Sequence, residues 1–198
     1  MGKWIFFDLG STLLDETDRV NERIHETAKL LKENAEQFYE QLEQTAKTHP
    51  YVISMELPNG ATWVPWAKRL DPLYPDAIFI LETLCKKYQL GVIANHGKDT
   101  AQQLGIAKFF TIYTASESAG YRKPDLRIFE LALTQANCTP ENAIMVGDRL
   151  DNDIYPAKKL GMKTVWIKQG FGGMTIPKSA EYKSNFEVNS LKELLRIL

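Results

Sequence analysis

The chain is predicted to be an α/β protein: a Rossmann-like parallel sheet with helices on both faces, plus a small inserted α-helical cap. Three observations carry this. The run Trp4-Ile5-Phe6-Phe7 is wholly apolar and ends on Asp8, as a strand covered on both faces does. A second such run, Ala143-Ile144-Met145-Val146, ends on Gly147-Asp148 and leads into Asp151-Asn152-Asp153. Elsewhere, apolar runs of strand length alternate with segments of helical period, the βαβα order of a parallel sheet.

The first strand is set at Lys3 to Phe7. From Thr17 to about Ala46, apolar residues at Val20, Ile24, Leu31, Ala35, Phe38 and Leu42 recur at helical spacing, describing one amphipathic helix or a helical hairpin. Thr17 with Asp18 is its expected N-cap, and His49-Pro50 closes it. Residues 51–75 are irregular, with Pro58-Asn59-Gly60 as a turn and an aromatic cluster at Trp63, Trp66 and Tyr74. This block interrupts the sheet pattern and reads as inserted. The aromatics are expected to form its core; if they lined a pocket, the substrate would carry an apolar or ring-shaped group.

Alternation resumes with a helix at Asp76 to Tyr88, a strand at Leu90 to Ala94 and a short helix at Lys98 to Leu104. A strand at Phe109 to Tyr113 and a helix at Pro124 to Gln135 follow. The Ala143 to Val146 strand, a helix over about Asp153 to Leu160 and a strand at Lys163 to Ile167 complete the pattern. Gly170-Phe171-Gly172-Gly173 lacks the glycine spacing and Lys-Ser/Thr of a P-loop and reads as a flexible surface loop.

At 198 residues with a net charge of -1, the chain can bury a good core and offers no basic face to nucleic acid or membrane. Cys85 and Cys138 make no metal or redox motif and read as two ordinary buried thiols in a reducing compartment. No apolar run is long enough to span a bilayer, so a soluble cytoplasmic protein is expected.

α/β folds place their chemistry beyond the carboxyl ends of strands. Asp8 and the Asp148 to Asp153 cluster are therefore expected at one shared site, Asp8 as nucleophile or metal ligand. Four segments then stand in order: Phe7-Asp8-Leu9-Gly10-Ser11-Thr12-Leu13, Gly91-Val92-Ile93-Ala94-Asn95, Arg122-Lys123-Pro124-Asp125, and Val146-Gly147-Asp148 through Asp153. Together they resemble the motifs of the haloacid dehalogenase-like (HAD) superfamily, most of whose members are magnesium-dependent phosphatases. The resemblance implies a HAD-like core at 1–15 and 76–198 and a helical cap of the C1 type at 16–75, with hinges at Thr12 to Glu16 and Leu73 to Asp76. It implies Asp8 as nucleophile and Mg²⁺ held by Asp8, the Gly10 carbonyl, Asp148 and Asp153. Asp153 or Asn152 would act through water or by holding the lysine. Lys123 would neutralise Asp8 and the incoming phosphate, with backbone N–H groups of Asn95 and His96 as further phosphate contacts.

Two positions depart from that pattern. Gly10 stands where such phosphatases carry a second Asp, the general acid and base, and Ala94 stands where a Ser or Thr would bind phosphate. The expected activity is accordingly a Mg²⁺-dependent phosphatase acting through an aspartyl-phosphate on a small phosphorylated metabolite with a good leaving group. His96 is the nearest alternative proton carrier, against a plain loop histidine. The alternatives are a catalytically weak or silent binding protein, or a relative cleaving C–halogen or C–P bonds. The last needs a Schiff-base lysine in the cap, for which Lys29, Lys32, Lys47 and Lys68 are available, with solvated helix lysines as the default.

Overall fold

The computed structural model describes residues 3–57 and 61–198; the Pro58-Asn59-Gly60 turn lies outside them. A six-stranded, wholly parallel sheet runs in the order β3-β2-β1-β4-β5-β6. Its strands are β1 (Trp4–Phe7), β2 (Gln89–Ala94), β3 (Ile112–Ala115), β4 (Ala143–Gly147), β5 (Lys163–Ile167) and β6 (Phe186–Val188). The helices are α1 (Thr17–Leu31), α2 (Ala35–Ala46), α3 (Ala77–Leu84), α4 (Thr100–Gln103), α5 (Ser116–Ala119), α6 (Leu126–Gln135), α7 (Tyr155–Lys159) and α8 (Leu194–Ile197).

Side chains on β1 alternate between the faces of the sheet. Ile5 and Phe7 join a cluster with Ile80, Leu81 and Leu194, while Trp4 and Phe6 join another with Phe129 and Ala157. Burial on both faces explains the uninterrupted apolar run. β1 is also where the chain order reverses, with β2 on one side and β4 on the other, which opens a crevice at their carboxyl ends.

The helical hairpin α1–α2 emerges just after β1. Lys32 in the left-handed conformation (φ 60°) ends α1, and Asn34 caps α2 by accepting from Gln37 N. Val20, Ile24, Phe38 and Leu42 build a separate apolar cluster. The segments joining hairpin and sheet are tied together, Asp15 N donating to Pro72 O at 2.8 Å and Tyr74 N to Leu13 O at 2.9 Å.

Several expectations need correction. α1 begins at Thr17 with Glu16 at the N-cap position, and it is Asp15 Oδ1 that accepts from Thr17 N; Thr17 and Asp18 do not cap. The third strand starts at Ile112, because Ala107–Phe109 form a 3-10 turn whose Phe109 packs on the core. The helix at 76 stops at Leu84, and the one expected at 153 is a π-turn, Leu150–Ile154, followed by α7. Cys85 is exposed and Cys138 half-buried. The glycine segment is no surface loop: Phe171 and Gly172 are buried, and Gly172–Met174 form a 3-10 turn.

Candidate active site

The register of the two central strands brings the carboxylates together. Phe7 pairs with Val146, and Asp8 N donates to Val146 O at 2.9 Å, so Asp8 and Asp148 leave adjacent strands side by side. Trp166 Nε1 donates to Asp148 O at 2.6 Å, fixing that backbone from β5. The π-turn swings Asp153 back over β4, where its Oδ2 accepts from Arg149 N at 3.1 Å. Gly147 is required there, because a Cβ would lie 2.5 Å from the Asp153 carboxylate.

Lys123 reaches this group from the loop before α6. Its Nζ stands 2.5 Å from Asp8 Oδ1 and 2.6 Å from Asp153 Oδ1. Asn95, just beyond β2, locks the lysine's backbone: Lys123 N donates to Asn95 Oδ1 at 2.9 Å, and Asn95 Nδ2 donates to Lys123 O at 3.1 Å. Asn95 thus spends its side chain on positioning Lys123, a role its place in the sequence did not suggest.

Asp8, Asp148 and Asp153 offer oxygens all within 4.8 Å of one another, and all three are buried. Three carboxyl groups face one ammonium. Burial, with Asp153 and Asp8 adding repulsion, pushes Asp148 well above the usual carboxylate range. Burial also raises Asp153 against the pull of Lys123. Lys123 itself, though burial opposes its charge, is held charged by the two anions that flank it. Such a surplus of hard, buried oxygen donors fits a divalent cation of the Mg²⁺ type, whose charge would remove the repulsion.

A cavity of about 480 Å³ opens from these groups toward the hairpin. Gly10, Asn95, His96 and Asn152 border it, as do Tyr39, Tyr51, Tyr74 and Phe171. Trp63 and Trp66 do not border it; they pack on the hairpin's cluster. Asp151 is engaged by the Arg149 guanidinium and stays out of the carboxylate group. Lys29, Lys32, Lys47 and Lys68 are all exposed and none borders the cavity.

Glu16 is the residue that sequence reasoning missed. The place a side chain would take at Gly10 is bordered by Glu16 Oε2 and His96 Cε1, each 2.8 Å from the position of a Cβ. Ser11 Oγ donates to Glu16 Oε2 at 2.9 Å, and the Arg19 guanidinium pairs with Oε1. His96 Nε2 is 3.8 Å from Oε1, too far for a hydrogen bond. Burial pushes the Glu16 carboxyl up, but His96, Arg19 and Ser11 outweigh it and hold it below the usual range.

A family profile for haloacid dehalogenase-like hydrolases matches residues 5–167. Glyceraldehyde 3-phosphate phosphatase of Pyrococcus furiosus is 43% identical over 96 residues, covering 48% of this chain and 40% of its own. The protein of that name from Pyrococcus abyssi is 31% identical over 234 residues, covering 100% and 94%. Phosphoserine phosphatase of Thermus thermophilus is 31% identical over 132 residues, covering 64% and 51%. The chain thus spans well under two thirds of the first and third of these, and nearly all of the second. Among solved structures, the magnesium-bound HAD-hydrolase YfnB of Bacillus subtilis superposes with a TM-score of 0.66 at 18% identity, covering 100% of this chain and 98% of its own. A 2-haloacid dehalogenase from Pseudomonas syringae does so with a TM-score of 0.66 at 21% identity, with the same coverage. At such identities the likeness is one of fold.

Proposed function

The chain belongs to the haloacid dehalogenase-like hydrolases, and from that membership we propose that it is a phosphatase whose nucleophile is Asp8 and whose substrate is a small phosphorylated metabolite. The observation that carries this reading is the buried bridge of Lys123 to both Asp8 and Asp153, with Asp148 beside them. Phosphoryl transfer asks the protein chiefly for position and charge compensation. Asp8, at the end of a rigid central strand, attacks phosphorus in line. Lys123 offsets charge on the carboxylate and on the phosphoryl oxygens, and Asp153 and Asn95 hold that lysine in place. Asp8, Asp148, Asp153 and the Gly10 carbonyl would hold Mg²⁺, which when bound supplies further positive charge for the phosphoryl group. Water then hydrolyses the acyl phosphate and restores Asp8.

Residues 1–15 and 76–198 form the core in this reading and 16–75 the cap. The cap closes over the site about the paired segments at 13–15 and 72–74, excluding bulk water. The cavity's size supports a metabolite rather than a polymer, and its tyrosines support a substrate that accepts hydrogen bonds beyond its phosphate. The exposed cap lysines give a Schiff-base route no support.

The test is to incubate the protein with Mg²⁺ and acetyl phosphate, quench in acid and locate phosphate by mass spectrometry. Label confined to Asp8, and absent from Asp8→Asn, is the expected result. No label together with unconsumed acetyl phosphate would favour a silent binding protein.

A further inference from the structure

We propose that Glu16 and His96 together replace the missing carboxylate at Gly10, His96 as the proton carrier and Glu16 as the positioning residue that holds it. The inference rests on the phosphatase reading and supplies its missing acid and base.

The argument is one of occupied space. The space a side chain would take at Gly10, two residues beyond Asp8, lies at the cavity that opens from Asp8. Here that volume is filled from two other elements: Glu16 Oε2 and His96 Cε1 each lie 2.8 Å from the position of a Gly10 Cβ. Both residues border the same cavity as Asp8. Neither is there by accident of a loose loop. Glu16 opens α1, and its carboxylate is gripped by Ser11 and Arg19, while Arg19 Nε stands 2.8 Å from the buried Asp71. Ser11 makes its contact from a left-handed backbone (φ 52°), a conformation that in a non-glycine residue persists only where surroundings enforce it. His96 follows β2 directly after Asn95, the residue that clamps Lys123. The Glu16 carboxylate stands 3.8 Å from His96 Nε2, facing the ring without binding it in a tight hydrogen bond.

The steps balance. As Asp8 forms its bond to phosphorus and the bond from phosphorus to the leaving oxygen breaks, that oxygen takes a proton from the His96 imidazolium and departs as an alcohol. The neutral imidazole next takes a proton from water as the water oxygen attacks the phosphorus of the acyl phosphate. The Asp8–phosphorus bond breaks, inorganic phosphate leaves, and His96 is again protonated beside the Glu16 carboxylate.

The test compares wild type, Glu16→Gln and His96→Gln with Mg²⁺ on glycerol phosphate, whose alkoxide needs protonation, and on acetyl phosphate, whose leaving group does not. Wild type should turn over both. Each variant should lose about 10²-fold or more on glycerol phosphate, the lower end of general acid–base effects. With acetyl phosphate each should still label Asp8, and the label should then persist, because the attacking water has lost its base. A merely structural role would not trap phosphoenzyme. Unchanged turnover of glycerol phosphate in both variants, loss of Asp8 labelling along with it, or a wild type active on acetyl phosphate alone would each overturn the inference. A wild type that neither consumes nor is labelled by acetyl phosphate would instead sink the phosphatase reading itself.

Discussion

Lys123 Nζ lies 2.6 Å from Asp153 Oδ1 with both side chains only 1% exposed, and the same ammonium touches Asp8. Removing one partner of a buried pair leaves an uncompensated charge and costs about 3–5 kcal/mol. Lys123→Met leaves three buried carboxyl groups facing one another without a cation. In metal-free buffer its urea midpoint should drop by that equivalent, and Mg²⁺ should recover part of the loss. Labelling of Asp8 by acetyl phosphate should vanish, with or without Mg²⁺.

Asp148 gives a pH dependence whose sign is fixed. Burial and the facing Asp153 and Asp8 hold its carboxyl well above the usual range in the folded chain, so the folded state binds that proton more tightly than the unfolded state. The associated stability is fully present below the ordinary carboxylate range and is lost as pH rises through the raised value. Without divalent cation, the melting temperature should therefore fall as pH rises above the ordinary carboxylate range. Excess Mg²⁺ at the upper end should raise it, as any ligand of the native state does. Asp148→Asn should flatten both responses; a melting temperature in this variant that still climbs with Mg²⁺ would mean that the ion binds elsewhere.

Gly172 gives a prediction from the segment misread as a surface loop. A Cβ there would overlap Asp148 Oδ2 and come within 2.9 Å of Arg149 Cγ and of the Asp148 carbonyl oxygen. Gly172→Ala should destabilise by about 1–3 kcal/mol, the range for overpacking, and should weaken Mg²⁺ binding as the Asp148 carboxylate is pushed aside. Mg²⁺ titration followed by melting temperature measures both. An affinity equal to that of wild type would show that the carboxylate can move without penalty.

Asp8 and Asp148 were legible because strand ends carry them. Trp4 to Phe7 and Ala143 to Val146 read as doubly covered strands from apolar content alone, and their adjacency in a parallel sheet puts Asp8 beside Asp148. Lys163 to Ile167 was legible for the same reason, whereas β6 is three residues long with two of them exposed and leaves no period to read. Phe109 and Phe110 misled the reading of β3, because aromatics favour strands but equally serve a turn that packs on the core. Phe171 is buried because α2 offers it the Tyr39 ring at 5.5 Å, a tertiary contact that a glycine-rich segment does not announce. Glu16 was illegible for a related reason. Its carboxylate meets Gly10 only because residues 9–14 turn back on themselves, with Leu13 N and Leu14 N both donating to Leu9 O.

Arg23 organises the irregular part of the proposed cap. Its guanidinium carbon sits 4.1 Å from the centroid of Trp66 and 4.9 Å from that of Trp63, while Nε donates to Val64 O at 2.8 Å and Nη1 to Ile53 O at 2.5 Å. One planar cation thus joins α1 to a segment whose described residues have only the short 3-10 turn Val52–Ser54 as regular structure. Hydrogen bonds to charged groups contribute about 1.5–3 kcal/mol each, and stacking on an aromatic face adds about 0.5–2 kcal/mol. A lysine cannot reproduce the fork. Arg23→Lys should therefore shift tryptophan emission to the red and speed proteolysis between residues 51 and 66. Because Arg23 lies outside the Asp8 cavity, labelling by acetyl phosphate, a donor too small to need the cap's side chains, should survive while turnover of larger phosphate esters falls. Equal loss on both would mean that the cap and the Asp8 site fold as one unit, and that closure is not a separate step.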